Sequence, residues 1–131
     1  MTVLITGGCG FIGTNFVKNW LRSMNEKLIN VDKLTYAAVY DTSTIIDTNY
    51  NFVKLDIKQT IEVKSLFKKY KPRAVIHFAA ESHVDRSIAK PSNFFDTNVT
   101  GTFSLLEASK DYFSQLDGKQ KAHFKFINIS T

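Results

Sequence analysis

The chain has 131 residues, of which 44% are hydrophobic and 22% charged. That is enough for one domain with a real core, and no apolar run approaches the roughly 18 residues that a membrane-spanning helix needs. The formal charge of +5 comes mostly from lysine, and a single cysteine excludes an internal disulfide, which suits a reducing cytoplasm.

The N-terminus enters an apolar run almost at once, which leaves no room for a signal peptide. Val3-Leu4-Ile5 predicts a buried strand over Thr2–Ile5. The glycine-rich run Thr6-Gly7-Gly8-Cys9-Gly10-Phe11-Ile12-Gly13 follows. An amphipathic helix is then expected over Phe11–Met24, with Val17, Trp20, Leu21 and Met24 on one face. A second strand, Leu28–Asp32, leads into a long polar connection, Lys33–Asn49, with a short helical turn near Thr44–Asp47. Connections of that length are functional or mobile. A third strand covers Asn51–Leu55. The helix Thr60–Tyr70 carries Val63, Leu66, Phe67 and Tyr70 on one face, and Pro72 stops it. The fourth strand is Ala74–Phe78, followed by a loop, Ala79–Lys90. Ser92 reads as the N-cap of a helix running to Leu116, with Phe94, Phe95, Val99, Phe103 and Leu106 in the core. A fifth strand is Phe124–Ile129. Strand–helix alternation predicts a parallel α/β sheet of the Rossmann type, doubly wound, filling residues 1–131 as one domain. That fold normally carries a sixth strand, so the sequence reads as the first part of a longer enzyme. Alone, its fifth strand would be an unpaired edge that invites aggregation.

Strand, glycine turn and helix together make a dinucleotide site. Gly7 permits the tight turn, Gly10 lets the backbone approach a pyrophosphate, and Gly13 lets the helix pack on the strand. Two registers fit, one through Gly8, Gly10 and Gly13 and one through Gly7, Gly10 and Gly13. The helix N-terminus offers N–H groups and partial positive charge to phosphates. Asp32 ends the second strand about 20 residues past Gly13, where a carboxylate accepts hydrogen bonds from a ribose and repels a 2′-phosphate, so NAD is favoured over NADP. Asp56-Ile57 takes the equivalent place on the third strand, against an adenine edge, or Asp56 caps the next helix. Small Ala79 and Ala80 would let a nicotinamide ribose approach the backbone.

The glycine run resembles the pattern T-G-x-x-G-F-x-G of extended short-chain dehydrogenases/reductases. The runs Ala79-Ala80-Glu81-Ser82-His83-Val84-Asp85-Arg86-Ser87 and Asp32-Lys33-Leu34-Thr35-Tyr36-Ala37 resemble the nucleotide-sugar 4,6-dehydratases within that group. So do Asp56-Ile57 and Thr97-Asn98-Val99-Thr100-Gly101-Thr102. The likeness covers essentially the whole sequence but only the first portion of that family's length. It implies that Phe11, Ile12, Asp32, Lys33, Leu34, Thr35, Asp56, Ile57, Ala79, Ala80, Glu81, Ser82 and Thr97 line the NAD site. It also implies that Ser82 and Thr131 face the sugar, with Thr131 the last active-site residue here. The family's Asp-Glu pair and its hydride-step tyrosine, the latter in a Tyr-x-x-x-Lys pattern, would follow Thr131. The implied reaction oxidises C4 of a nucleotide-glucose, eliminates water across C5–C6 and returns the hydride to C6. Acid and base groups must lie within hydrogen-bond reach of the substrate. dTDP-glucose is the favoured substrate, and a homodimer through the long helix is implied. UDP-glucose 4,6-dehydration, UDP-sugar 4-epimerisation and an inactive NAD-binding module are the alternatives. The run Glu81–Ser87 argues against the epimerase.

The remaining candidates read as structural. Glu81 and Asp85 would cap the loop or pair with Arg86. His77 sits in a buried strand, and His83 lies nearer the expected site. The histidines and Cys9 lack metal-ligand spacing. Lys64, Lys68, Lys69, Lys71 and Arg73 form a solvated helix face without the interleaved aromatics of a nucleic-acid surface. Cys9, at a helix N-terminus, is expected either to have a lowered thiol pKa and NAD-suppressed alkylation or to be inert and partly buried.

Overall fold

An unbroken apolar run, Val3-Leu4-Ile5, lets strand β1 (Thr2–Thr6) lie at the centre of the sheet, buried on both faces. In the computed structural model residues 1–39 and 41–130 are described, with Val84 described by its backbone alone. In chain order there follow α1 (Phe11–Ser23), β2 (Lys27–Asp32), a 3-10 turn at Thr42–Thr44, β3 (Tyr50–Lys54), α2 (Thr60–Tyr70) and β4 (Ala74–His77). Then come α3 (Val84–Ala89), α4 (Pro91–Phe94), a π-helical stretch Phe95–Gly101, α5 (Thr102–Ser114), α6 (Gly118–His123) and β5 (Lys125–Asn128).

The five strands are parallel in the order β3-β2-β1-β4-β5. The chain therefore winds outward from β1 one way, returns, and winds out the other way through β4. The reversal between β1 and β4 opens a crevice beyond the strands' carboxyl ends, where ligands of such sheets bind. Leu4, Ile29, Val31 and Val75 face one side of the sheet, covered by Val63 and Phe67 of α2 and by Leu105 and Ala108 of α5. Val3, Ile5, Leu28 and Ile76 face the other, against Phe16, Val17 and Trp20 of α1. Burying each large apolar side chain stabilises the fold by roughly 1.5–3 kcal/mol, and this holds α1 and the strand ends in place around the crevice.

Helix α2 spans the predicted residues; Lys71 ends it in the left-handed region at φ 46, and Pro72 follows. Its lysines are solvated as expected, with Lys64 paired to Asp111 at 2.5 Å. Arg73 grips Glu26 through two bonds of 2.7 and 3.0 Å.

Several expectations need correction. The turn in the long connection lies at Thr42–Thr44, earlier than Thr44–Asp47, because Asp41 caps it through the Ser43 N–H. The supposed loop 79–90 contains α3, whose first turn is closed by Arg86 and Ser87 N–H groups on the His83 carbonyl. Ser92 is not the N-cap of the long helix. Pro91 occupies the first turn, where its fixed φ and missing N–H cost nothing. Helix α6 fills a stretch with no predicted structure, closed by a capping box between Asp117 and Gln120. The long helix also turns a different face inward. Phe95, Val99, Phe103 and Leu106 are 61%, 51%, 63% and 45% exposed, whereas Thr97, Gly101, Ser104, Leu105 and Ala108 are buried. Small residues on that face let α5 approach α2 closely, with the Ser104 and Thr60 hydroxyls 2.6 Å apart. Among the described residues no helix is long and apolar enough to cross a membrane.

Candidate functional site

The glycine run turns off β1 at Gly7, whose φ is +76 and whose N–H bonds the Val31 carbonyl at 2.9 Å. A side chain at Gly7 would also meet the Ala79 backbone at 2.5 Å. At Gly13 a Cβ would overlap the Gly7 carbonyl, so α1 lies directly on the turn. At Gly8 it would overlap the Asn30 amide. Both glycine registers are thus occupied for packing reasons. Gly10 differs: its Cβ would meet only the Gly7 oxygen, at 3.4 Å, and so it leaves an open cradle toward the crevice. Gly10 precedes α1, so the N–H groups of Phe11, Ile12 and Gly13 have no carbonyl a turn earlier to accept them. Phe11 and Ile12 are exposed at this helix start.

Asp32 ends β2 with both carboxylate oxygens anchored. One accepts the Cys9 N–H at 2.9 Å and the other the Leu34 N–H at 2.8 Å. Leu34 is held at φ 56, a conformation that costs a bulky residue energy and that clusters at ligand sites. Lys33 reaches across to Thr97 at 3.4 Å and to Asp56 at 3.8 Å. Asp56 accepts the Lys58 N–H at 3.0 Å, and Gln59, not Asp56, is the cap of α2.

The crevice is lined by Gly7, Gly10, Asp32, Lys33, Thr35, Asp56, Ile57, Ala79, Ala80, Glu81 and Thr97, all expected there. Val31, Ala37, Ala38, Leu55 and Phe78 also line it. Ala37 and Ala38 could have been found by the small-residue argument used for Ala79 and Ala80. Phe11, Ile12, Gly13, Leu34 and Ser82, also expected there, are not among the lining residues: the first three begin α1 after Gly10, Leu34 gives its N–H to Asp32, and Ser82 is exposed. Thr131 lies outside the described residues. The spacing Tyr-x-x-x-Lys does occur, at Tyr50 and Lys54, but along β3, where four positions span about 13 Å. Tyr50 is buried, and its hydroxyl is taken by Asn30.

Beneath the crevice His77 is buried, with Nδ1 2.6 Å from the Thr6 hydroxyl and Nε2 2.9 Å from that of Thr102. Burial pushes its pKa down to about 4. Cys9 contradicts the reactive reading. Its side chain is buried, its sulfur lies 3.0 Å from the Thr42 hydroxyl, and desolvation raises its pKa, with Asp32 adding to the rise. Burial outweighs the helix end here. Among the described residues no group of metal-ligating side chains forms.

This arrangement is a Rossmann-type α/β domain with a crevice that Gly10, at the N-terminus of α1, and the anchored Asp32 carboxylate both line. The family model described as GDP-mannose 4,6 dehydratase matches residues 4–131, and the chain belongs to that family. It is 46% identical, over its whole length, to a dTDP-glucose 4,6-dehydratase of Salmonella typhimurium, covering 37% of that protein. A crystal structure of Bacillus anthracis dTDP-glucose 4,6-dehydratase in complex with NAD superposes with a TM-score of 0.80 at 36% identity, over all of this chain and 37% of that one. Thermotoga maritima UDP-glucose 4-epimerase with UDP-glucose gives a TM-score of 0.80 at 30% identity, over all of this chain and 38% of that one. The chain thus spans well under half the length of the relatives it matches.

Proposed function

We propose that this chain is the NAD-binding part of a nucleotide-sugar 4,6-dehydratase acting on dTDP-glucose. The observation that carries the reading is the juxtaposition in one crevice of the Gly10 cradle and the anchored Asp32 carboxylate, in a chain 46% identical to such an enzyme. NAD fits these residues: the cradle is open where a pyrophosphate would lie, and Asp32 keeps lone pairs for ribose hydroxyls. Bound NAD supplies the hydride acceptor and donor for the reaction. The α1 N–H groups of Phe11, Ile12 and Gly13 would hold its diphosphate, Asp32 its adenosine ribose, and Lys33, Leu34, Thr35, Asp56, Ile57 and Thr97 the surrounding walls. Ala79, Ala80, Glu81 and Ser82 would flank the nicotinamide ribose, with Ser82 and Thr131 toward the sugar. The exposed stripe Phe95, Val99, Phe103 and Leu106 suits a homodimer contact. A cytoplasmic setting fits the lone thiol.

The overlay on an epimerase is as good as that on a dehydratase, so the fold alone leaves the reaction to the assay. The test incubates the gene product that contains this chain with NAD and dTDP-glucose or UDP-glucose. The expected result is a 4-keto-6-deoxy sugar, read by its absorbance in alkali, formed faster from dTDP-glucose. A C4 epimer with no keto product would overturn the dehydratase reading. Residues 1–131 expressed alone should give no turnover, since the family's acid, base and tyrosine follow them.

A further inference from the structure

The two loops that leave β2 and β4 flank the crevice, and a hydrogen bond between Tyr36 and Glu81 joins them. The Tyr36 hydroxyl donates to the Glu81 carboxylate at 2.7 Å. The Arg86 guanidinium lies 3.3 Å from the Tyr36 ring centroid, a stacked contact that sets the ring's orientation. Both ends are anchored. Asn98 accepts the Glu81 N–H at 2.8 Å and donates to the Glu81 carbonyl at 2.9 Å. The other loop is tied to the glycine run by the Val39 N–H on the Cys9 carbonyl at 2.9 Å. Glu81 lines the crevice and also a neighbouring pocket, which Tyr36 and Arg86 help line. The bridge therefore stands at the partition between the two spaces.

We infer that Tyr36 is a positioning residue that acts through Glu81, strapping the two crevice walls together and slowing release of the bound dinucleotide. The inference rests on the reading of the crevice as an NAD site. Tyr36 is half-exposed, so the bridge competes with water and contributes little to the fold. Its effect falls on how often the walls part.

The experiment loads the gene product with NAD and chases release with excess fluorescent etheno-NAD. Tyr36→Phe removes the bridge but keeps a ring for Arg86, and should speed release about 5- to 10-fold, the worth of one hydrogen bond to a charged, partly solvated group. Tyr36→Leu, which also loses the stacked contact, should speed it further. Glu81→Ala, which also removes part of the crevice wall, should speed release at least as much, and adding Tyr36→Phe to it should change nothing further, because that contact is already gone. The melting temperature of the NAD-free protein should stay unchanged in Tyr36→Phe, which separates positioning from plain stability. Release at the wild-type rate from Tyr36→Phe, or additive effects in the double variant, would overturn the strap while leaving the site reading intact. A wild-type protein that retains no NAD would sink both.

Discussion

Asn30 and Gly8 are locked together: the Asn30 side-chain oxygen accepts the Gly8 N–H at 3.0 Å. The Asn30 amide nitrogen donates to the Thr42 and Tyr50 hydroxyls, each at 2.9 Å. A buried amide in the middle of β2 thus ties the glycine run to the long connection and to β3. Replacing it with leucine, Asn30→Leu, leaves a buried N–H without its acceptor. The expected cost is at least about 2 kcal/mol, because unsatisfied buried groups carry their full desolvation penalty. A shift of the urea midpoint at constant slope is the measure, and an unchanged midpoint would refute the assignment.

The glycines should separate by role. Gly7→Ala combines a positive φ with a backbone clash and should destabilise by several kcal/mol, about 2–3 or more. Gly10→Ala meets no clash in the protein and should melt normally while losing NAD affinity. Thermal melts beside NAD titrations decide this. A Gly10→Ala protein that binds NAD as the wild type does would remove the cradle from the site.

His77 should make the protein acid-sensitive. The fold holds a neutral imidazole with a pKa near 4, against 6.5 for the free group. As pH falls, the unfolded chain takes up the proton first. The stability is therefore complete above pH 6.5, declines between 6.5 and 4, and levels off below, a change on the order of 3 kcal/mol. His77→Gln should flatten that interval in denaturant titrations run at stepped pH. A slope identical to wild type would mean that other groups cause the acid loss.

Asp32 should set cofactor choice. Its fixed carboxylate repels a 2′-phosphate, so NAD should bind more tightly than NADP, and Asp32→Ala should narrow the gap. Equal wild-type affinities by calorimetry would contradict this.

Cys9 should resist iodoacetamide in the native protein and react promptly in urea. Its thiol is buried and its pKa is raised by desolvation. Fast native labelling would show that the glycine run opens.

Much of this was legible in the residues. The turn at Gly7, the packing at Gly13, the end of β2 at Asp32 and the whole of α2 follow from local rules, because steric demand and helix period act over a few residues. Four apolar side chains, Phe95, Val99, Phe103 and Leu106, were expected inside and lie outside. Spacing reveals a stripe but not which side faces the sheet, and here the small residues beside Leu105 win by permitting close approach to α2. Asn30 went unread, although an asparagine amid Leu28, Ile29 and Val31 was the visible signal. Of the two readings of Cys9 the inert one agrees with the structure, and the reactive one failed because a helix end raises reactivity only where water can reach the sulfur.

The π-helical stretch Phe95–Gly101 makes the long helix a ruler. Each of its hydrogen bonds spans one residue more than in an α-helix, and that surplus sets the phase between its two halves. Thr97 and Asn98 meet the crevice walls while Leu105 and Ala108 meet the core. Deleting one residue would rotate one half by about 100° against the other, taking either the crevice contacts or the core contacts out of place. The number of residues between Pro91 and Ser114 therefore sets the crevice contacts and the core contacts together.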